Sequence, residues 1–116
     1  MSTWSPISDK QPLTFIEQGT PSLSEEEYRF FEMIKIPLQK WQLPPWGDQG
    51  GGFWVLGVFG SIVLWYNDIE EGFNFSFYSV TGQIGKYWCN QDDFDIFIKR
   101  VYKYFQTGII NYHEPI

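Results

Sequence analysis

One cysteine and one histidine are all that these 116 residues offer to thiol or imidazole chemistry. Cys89 has no partner for an internal disulfide, so the fold must stand on its core, and a reducing compartment is expected. His113 lies in the tail with no second histidine to share a metal. It has no G-x-S-x-G elbow to work with either. A Cys89–His113 nucleophile pair is formally open, since Cys89 precedes a helix start, but its N′ position is one where apolar residues normally pack. Positive charge is scarce as well: 8 Lys and Arg stand against 14 Asp and Glu, a net charge of −6. That balance excludes general nucleic-acid binding, which needs a basic surface. It favours a basic partner through long-range attraction, and it also simply keeps a protein in solution. Long apolar runs are missing too. The longest, Phe53 to Tyr66, is broken by Gly57, Gly60 and Ser61 and is too short for a membrane-spanning helix. The opening MSTWSPISDKQPL has no basic region followed by an apolar run, so no signal peptide is expected. The expectation is a soluble, cytoplasmic protein with no membrane and no nucleic acid among its partners.

Phosphate and metal motifs are lacking. Gly50-Gly51-Gly52 leads into a strand rather than a helix, and no P-loop or G-x-G-x-x-G pattern occurs. The carboxylates Asp68, Glu70 and Glu71 share one turn but match no calcium loop. They read as a solvated turn or, more sharply, as the acidic rim of an aromatic surface. No catalytic residue, cofactor or metal site is therefore assigned. There are no repeats, and the whole of 1–116 reads as one domain.

Aromatic residues are the excess, at 21% of the chain with six tryptophans. They organise the stretch from Phe53 to Cys89, which reads as four antiparallel strands. Gly60-Ser61 is a two-residue hairpin turn. It sets Phe59 opposite Ile62, Gly57 opposite Leu64 and Val55 opposite Tyr66, with Val58–Val63, Leu56–Trp65 and Trp54–Asn67 on the other face. Phe73, Phe75 and Phe77 then alternate with Asn74, Ser76 and Tyr78, the period of a half-buried strand. Asp68 is expected opposite Phe73, across a turn at 69–72. Thr81-Gly82 is read as the last turn, before a fourth strand carrying Ile84 and Trp88. In every register the phenylalanines share one face, which a slip of one residue would turn to water.

Helices flank this sheet. Ser24 and Glu27 form a capping box, Leu23 and Tyr28 a staple, and Glu25, Glu26 and Glu27 suit the positive end of the helix dipole. Pro37 ends that helix. The second helix is expected to open at Asn90, with a stripe at Phe94, Phe97, Ile98, Val101, Tyr102 and Phe105. Gly108 closes it, with Ile109 supplying the apolar contact. The stripe packs on the phenylalanine face, where Gly57 lets a helix approach. Residues 1–20 read as an extended lead-in, 38–52 as a connector rich in Pro, Gly and Trp, and 110–116 as an extended tail. The fold class is α+β: one four-stranded antiparallel meander with an N-terminal and a C-terminal helix on one face.

The opposite face carries Trp54, Trp65, Asn67, Asn74, Tyr78 and Tyr87, flanked by Asp68, Glu70 and Glu71. Rigid aromatics tipped with amides and hydroxyls are what partner-binding surfaces use. The alternative is that the N-terminal arm or the Trp41–Trp46 connector covers this face.

The run Trp65-Tyr66-Asn67-Asp68-Ile69-Glu70-Glu71-Gly72-Phe73-Asn74, followed by Trp88-Cys89-Asn90-Gln91-Asp92, resembles small bacterial proteins of the toxin-immunity type. The early helix and the glycine-rich lead into the sheet are similar to the SUKH immunity superfamily. The resemblance implies a non-enzymatic protein that neutralises a toxin by binding it. It carries over no functional residues. With the composition, it gives the leading expectation: an interaction module for a protein partner, a basic toxin being one such partner. The rival is a small-ligand-binding domain or enzyme with a pocket between the sheet and the tryptophan connector. A homodimer through the exposed sheet face is the third.

Overall fold

The computed structural model describes residues 7–108, apart from the side chain of Gln49. The expectations for Ile109, the 110–116 tail and His113 lie outside the described residues. The chain runs α1 (Lys10–Gly19), a 3₁₀ turn (Thr20–Ser22), α2 (Glu25–Ile34), β1 (Lys35–Trp41), β2 (Phe53–Phe59), β3 (Ile62–Asn67), β4 (Gly72–Phe77) and α3 (Phe94–Thr107). The strands form one antiparallel sheet in the order β1-β2-β3-β4, the expected meander in an α+β fold. Among the described residues no helix is long and apolar enough to cross a membrane.

Two elements were not expected. The stretch read as an extended lead-in contains α1. Its Pro12 sits in the first helical turn, where the missing N–H has no intrahelical partner to lose, so it does not break the helix. The sheet also gains β1 in place of the strand expected after Gly82. Pro37 lies within β1, at the edge of the sheet, where a proline is tolerated. The connector therefore begins after Trp41, and residues 84–92 form an irregular strap instead of a strand.

The capping box of α2 is complete. Glu27 N donates to Ser24 Oγ (3.1 Å), and Ser24 N donates to Glu27 Oε1 (2.8 Å). Lys99 Nζ on α3 also reaches Glu27 Oε1, at 2.8 Å, and ties the two helices together. Burial alone would raise the Glu27 carboxyl; Lys99 and Ser24 outweigh it and hold the group below its usual value. The second long helix starts three residues later than expected, with Asp93 rather than Asn90 as its N-cap. Gly108 caps its other end with a positive φ of 73°.

Both α2 and α3 lie on the phenylalanine face. Phe30, Phe31 and Ile34 meet Phe94, Phe97, Ile98 and Val101 over Leu64, Tyr66, Phe73 and Phe75. Phe73 stacks on Phe97 at 5.7 Å and meets Phe94 edge-on at 5.5 Å. Burying each such ring contributes roughly 2–3 kcal/mol. The close approach at Gly57 is made by the end of α2 rather than by α3: a Cβ there would lie 3.2 Å from Ile34 O.

The β2–β3 register follows the hairpin turn for three pairs: Phe59–Ile62, Val58–Val63 and Gly57–Leu64. A bulge then intervenes, and the next pairs are Val55–Trp65 and Trp54–Tyr66. One extra residue reverses the facing of everything before it. Leu56 joins the helix-side core, while Phe53 and Val55 join the other. The β3–β4 register is offset by two residues from the expectation, with Tyr66 opposite Phe73 and Asn67 opposite Gly72. An even offset keeps the phenylalanines on their predicted face.

The second face of the sheet is covered. Trp41, Leu43, Phe53, Val55, Val63, Trp65 and Ile84 form a second core there. The strap begins beside the connector, where Gln42 N donates to Gly82 O and Ile84 N donates to Gln42 O. It then follows the outer edge of β4, with Gly85 N on Phe77 O and Phe73 N on Asp92 O. Among the described residues no strand pairs with the outer edge of β1.

Candidate functional site

The expected binding residues fall into three separate places. Trp54 is on the helix side, displaced there by the bulge. Its indole N–H donates to Ile7 O (2.9 Å), and Lys40 Nζ lies 5.0 Å from its ring centre. Trp65, Asn67, Asn74, Tyr78 and Tyr87 remain on the opposite face, but that face is covered: the first three are buried and the two tyrosines half-buried. Trp65 is 0% exposed and donates to Ser76 Oγ (3.0 Å). A side chain with no exposed surface cannot anchor a partner, so the expected anchoring role of Trp65 is corrected.

Asn67, Asn74 and Ser76 hold the strap. Ser76 Oγ donates to Lys86 O (2.7 Å), and Asn67 Nδ2 donates to Trp88 O (3.0 Å). Asn74 makes a two-way pair, giving Nδ2 to Asn90 O and accepting from Asn90 N, both at 3.0 Å. The three side chains thus meet every second residue of the strap, 86, 88 and 90. Their polarity satisfies an irregular backbone that would otherwise lie unpaired against the sheet. Tyr78 packs edge-on against Trp41 and donates to Gly60 O (3.0 Å). Tyr87 stacks with Trp46 at 4.4 Å. Trp41 and Leu43 fill the space between connector and sheet where a pocket was expected. An apolar groove of about 480 Å³ lies elsewhere, between α1, α2 and β1, lined in part by Leu13, Ile16, Tyr28, Phe31 and Leu38.

Asp68, Glu70 and Glu71 are the third group, and here the fold adds what the sequence kept apart. Asn67 Oδ1 accepts from Ile69 N (3.0 Å) and Glu70 N (3.1 Å), which shapes the four-residue loop between β3 and β4. Glu71 completes the loop with a φ of 60°. The strap returns to the same end: Gln91 Nε2 donates to Glu70 O (3.0 Å), and Asp92 is bridged to Phe73. Asp92, Asp93 and Asp95 therefore arrive beside the loop acids. The C-terminal end of α1 closes the other side through Gln18 and Gly19.

Between these elements is an open cleft of about 420 Å³. Glu71, Asp92, Asp93 and Asp95 line it together with the rings of Phe15, Tyr66, Phe73 and Phe94. Tyr66 is 4% exposed, and its phenol is pushed up to about 12 by burial, then by Glu71, Asp68 and Asp93. Burial raises the Asp92 carboxyl, with Arg100 opposing and Asp93 adding to the rise. Asp68 is likewise raised by burial, against the hydrogen bond from Ile7 N (3.3 Å) and the charge of Lys40. Among the described residues no three His, Cys, Asp or Glu side chains converge to hold a metal ion. The carboxylates ring the cleft instead, a geometry suited to an extended organic cation.

Sequence reasoning missed Tyr66, Asp92, Asp93 and Asp95 as site residues. The three aspartates carry the signal of a helix start, which hides any second use. Comparison with family models, with curated proteins and with solved structures finds no match.

Proposed function

We propose that this protein is a non-enzymatic interaction module that binds a basic protein partner through its acidic end. The observation that carries the reading is convergence. Glu71 of the β3–β4 loop meets Asp92, Asp93 and Asp95 of the strap and α3 around an aromatic-lined cleft, and Asp68 and Glu70 stand on the same loop. A focused negative field speeds encounter with a basic surface, and rings beside it supply contact area once water is excluded. A toxin neutralised by occlusion is the form of partner that the resemblance of the loop and strap sequences suggests. The cytoplasm is the proposed setting, consistent with a single, exposed Cys89.

The test is capture from a lysate of the source organism, with the native protein and a Glu70→Lys/Glu71→Lys variant as paired baits at low and high salt. The expected result is one stoichiometric basic protein on the native bait, released as salt rises and absent from the variant. Equal capture by both baits, or capture indifferent to salt, would overturn the reading.

A further inference from the structure

The acidic cleft carries one deeply set polar group that the chain itself leaves unanswered. Tyr66 is more than nine-tenths buried and lines the cleft, yet its hydroxyl makes no hydrogen bond among the described residues. That hydroxyl is not among the sealed, unpaired atoms, so its open side is the cleft. Asp92 is committed: its Oδ2 is sealed from the cleft and ion-paired with Arg100 Nε at 3.3 Å. The other acids are uncommitted. Asp93 is the N-cap of α3, but its side chain accepts no capping bond. Glu71, Asp93 and Asp95 have no ion-pair partner among the described residues.

From these observations we infer that the cleft is a receptor for one arginine side chain, presented by the basic partner; the inference rests on the interaction reading above. The carboxylates of Glu71, Asp93 and Asp95 and the Tyr66 oxygen can all accept, and the guanidinium is all donor, with five N–H groups and no acceptor. It carries a charge opposite to that of the three unpaired carboxylates. A flat face of it can lie against the aromatic wall, where Phe15 and Tyr66 pack on one another at 5.6 Å and 42°. An ammonium supplies the same charge but holds its water more strongly and cannot fork between two carboxylates. An open cleft of about 420 Å³ has room for one long side chain. The site is thus a selective socket within a surface whose wider acidity only attracts.

The probes are three acetylated, amidated tripeptides, Gly-X-Gly, with X as arginine, lysine or the neutral isostere citrulline. Each is titrated into the ¹⁵N-labelled full chain while amide shifts are followed. The arginine peptide is expected to move the amides of Gly19, Glu71, Asp93 and Asp95 saturably, about tenfold more tightly than the lysine peptide. The citrulline peptide should leave them in place. Asp93→Asn/Asp95→Asn is expected to weaken arginine binding at least about tenfold, and Tyr66→Phe by about threefold, each with an otherwise native spectrum. Equal binding of arginine and citrulline, equal binding of arginine and lysine, or shifts mapping outside the cleft would each overturn the inference. If the cleft ignores arginine while capture of a basic partner stays charge-dependent, the socket falls and the interaction module stands. If arginine binds the cleft and no basic partner is captured, the socket stands and the interaction module falls.

Discussion

Asn74→Ala removes the amide that joins sheet and strap, and the cost can be worked from the contacts. Two bonds at 3.0 Å to Asn90 are lost, together with a longer one to Gly72 O at 3.3 Å. Each hydrogen bond contributes about 1 kcal/mol net, and a buried group left unpaired costs about 1–3 kcal/mol. Asn90 is half-buried, so water recovers part of that loss. The expected destabilisation is about 2–3 kcal/mol. With a urea dependence of about 1–2 kcal/mol per molar, the unfolding midpoint should fall by roughly 1–3 M. Hydrogen exchange localises the effect: the Asn90 amide should lose protection while the amides of β2 and β3 keep theirs relative to the global stability. A midpoint shift under about 0.5 M, or an Asn90 amide as slow as before, would refute the view that Asn74 holds the strap.

Two further outcomes follow from the same geometry. A Cβ at Gly72 would overlap Asn90 O and Gln91 Cα, both backbone-borne and unable to swing aside; Gly72→Ala should cost about 3 kcal/mol or more in a urea melt, and a loss under about 1 kcal/mol would show that the strap yields. Asp68 is half-buried, its carboxyl is raised by burial, and Oδ1 has no partner. A raised carboxyl contributes stability below its unfolded pKa, and that contribution is lost as pH rises through the folded value. Asp68→Asn should therefore gain on the native protein between pH 3 and pH 7, as read by urea midpoints at both; a difference constant with pH would refute it.

The elements legible in the sequence are those with a local signature. Ser24 and Glu27 announced α2, Phe73 and Phe75 announced β4 and its facing, and Phe94, Phe97, Ile98 and Val101 announced α3. Where a signature failed, a physical reason is at hand. Pro12 and Pro37 read as breaks because the tolerance of a first helical turn or a sheet edge depends on where those positions fall. The bulge at Leu56 left no trace because β2 is apolar on both faces, so neither parity is penalised. Ile84 and Trp88 mimic a strand, yet the backbone around them is answered by Asn67, Asn74 and Ser76 rather than by a ladder. The site suffered most from this. The loop acids were visible, but the meeting of Glu71 with Asp92, Asp93 and Asp95 depends on the path of the strap, which no local pattern encodes.

The edges of the sheet bear on how this chain behaves at high concentration. A free strand edge is a template for adding further copies, and indefinite addition ends in fibrils. On the β4 side, the strap takes Phe77 O and Phe73 N, so a second molecule finds those groups occupied. Among the described residues no strand pairs with the outer edge of β1, but that edge carries Pro37, which offers no N–H, between Lys35 and Lys40, whose like charges oppose a second copy. The polar trio beneath the strap thus protects solubility as well as shape. A lesion that frees the strap would strip one edge and leave only a proline and two lysines to prevent polymerisation.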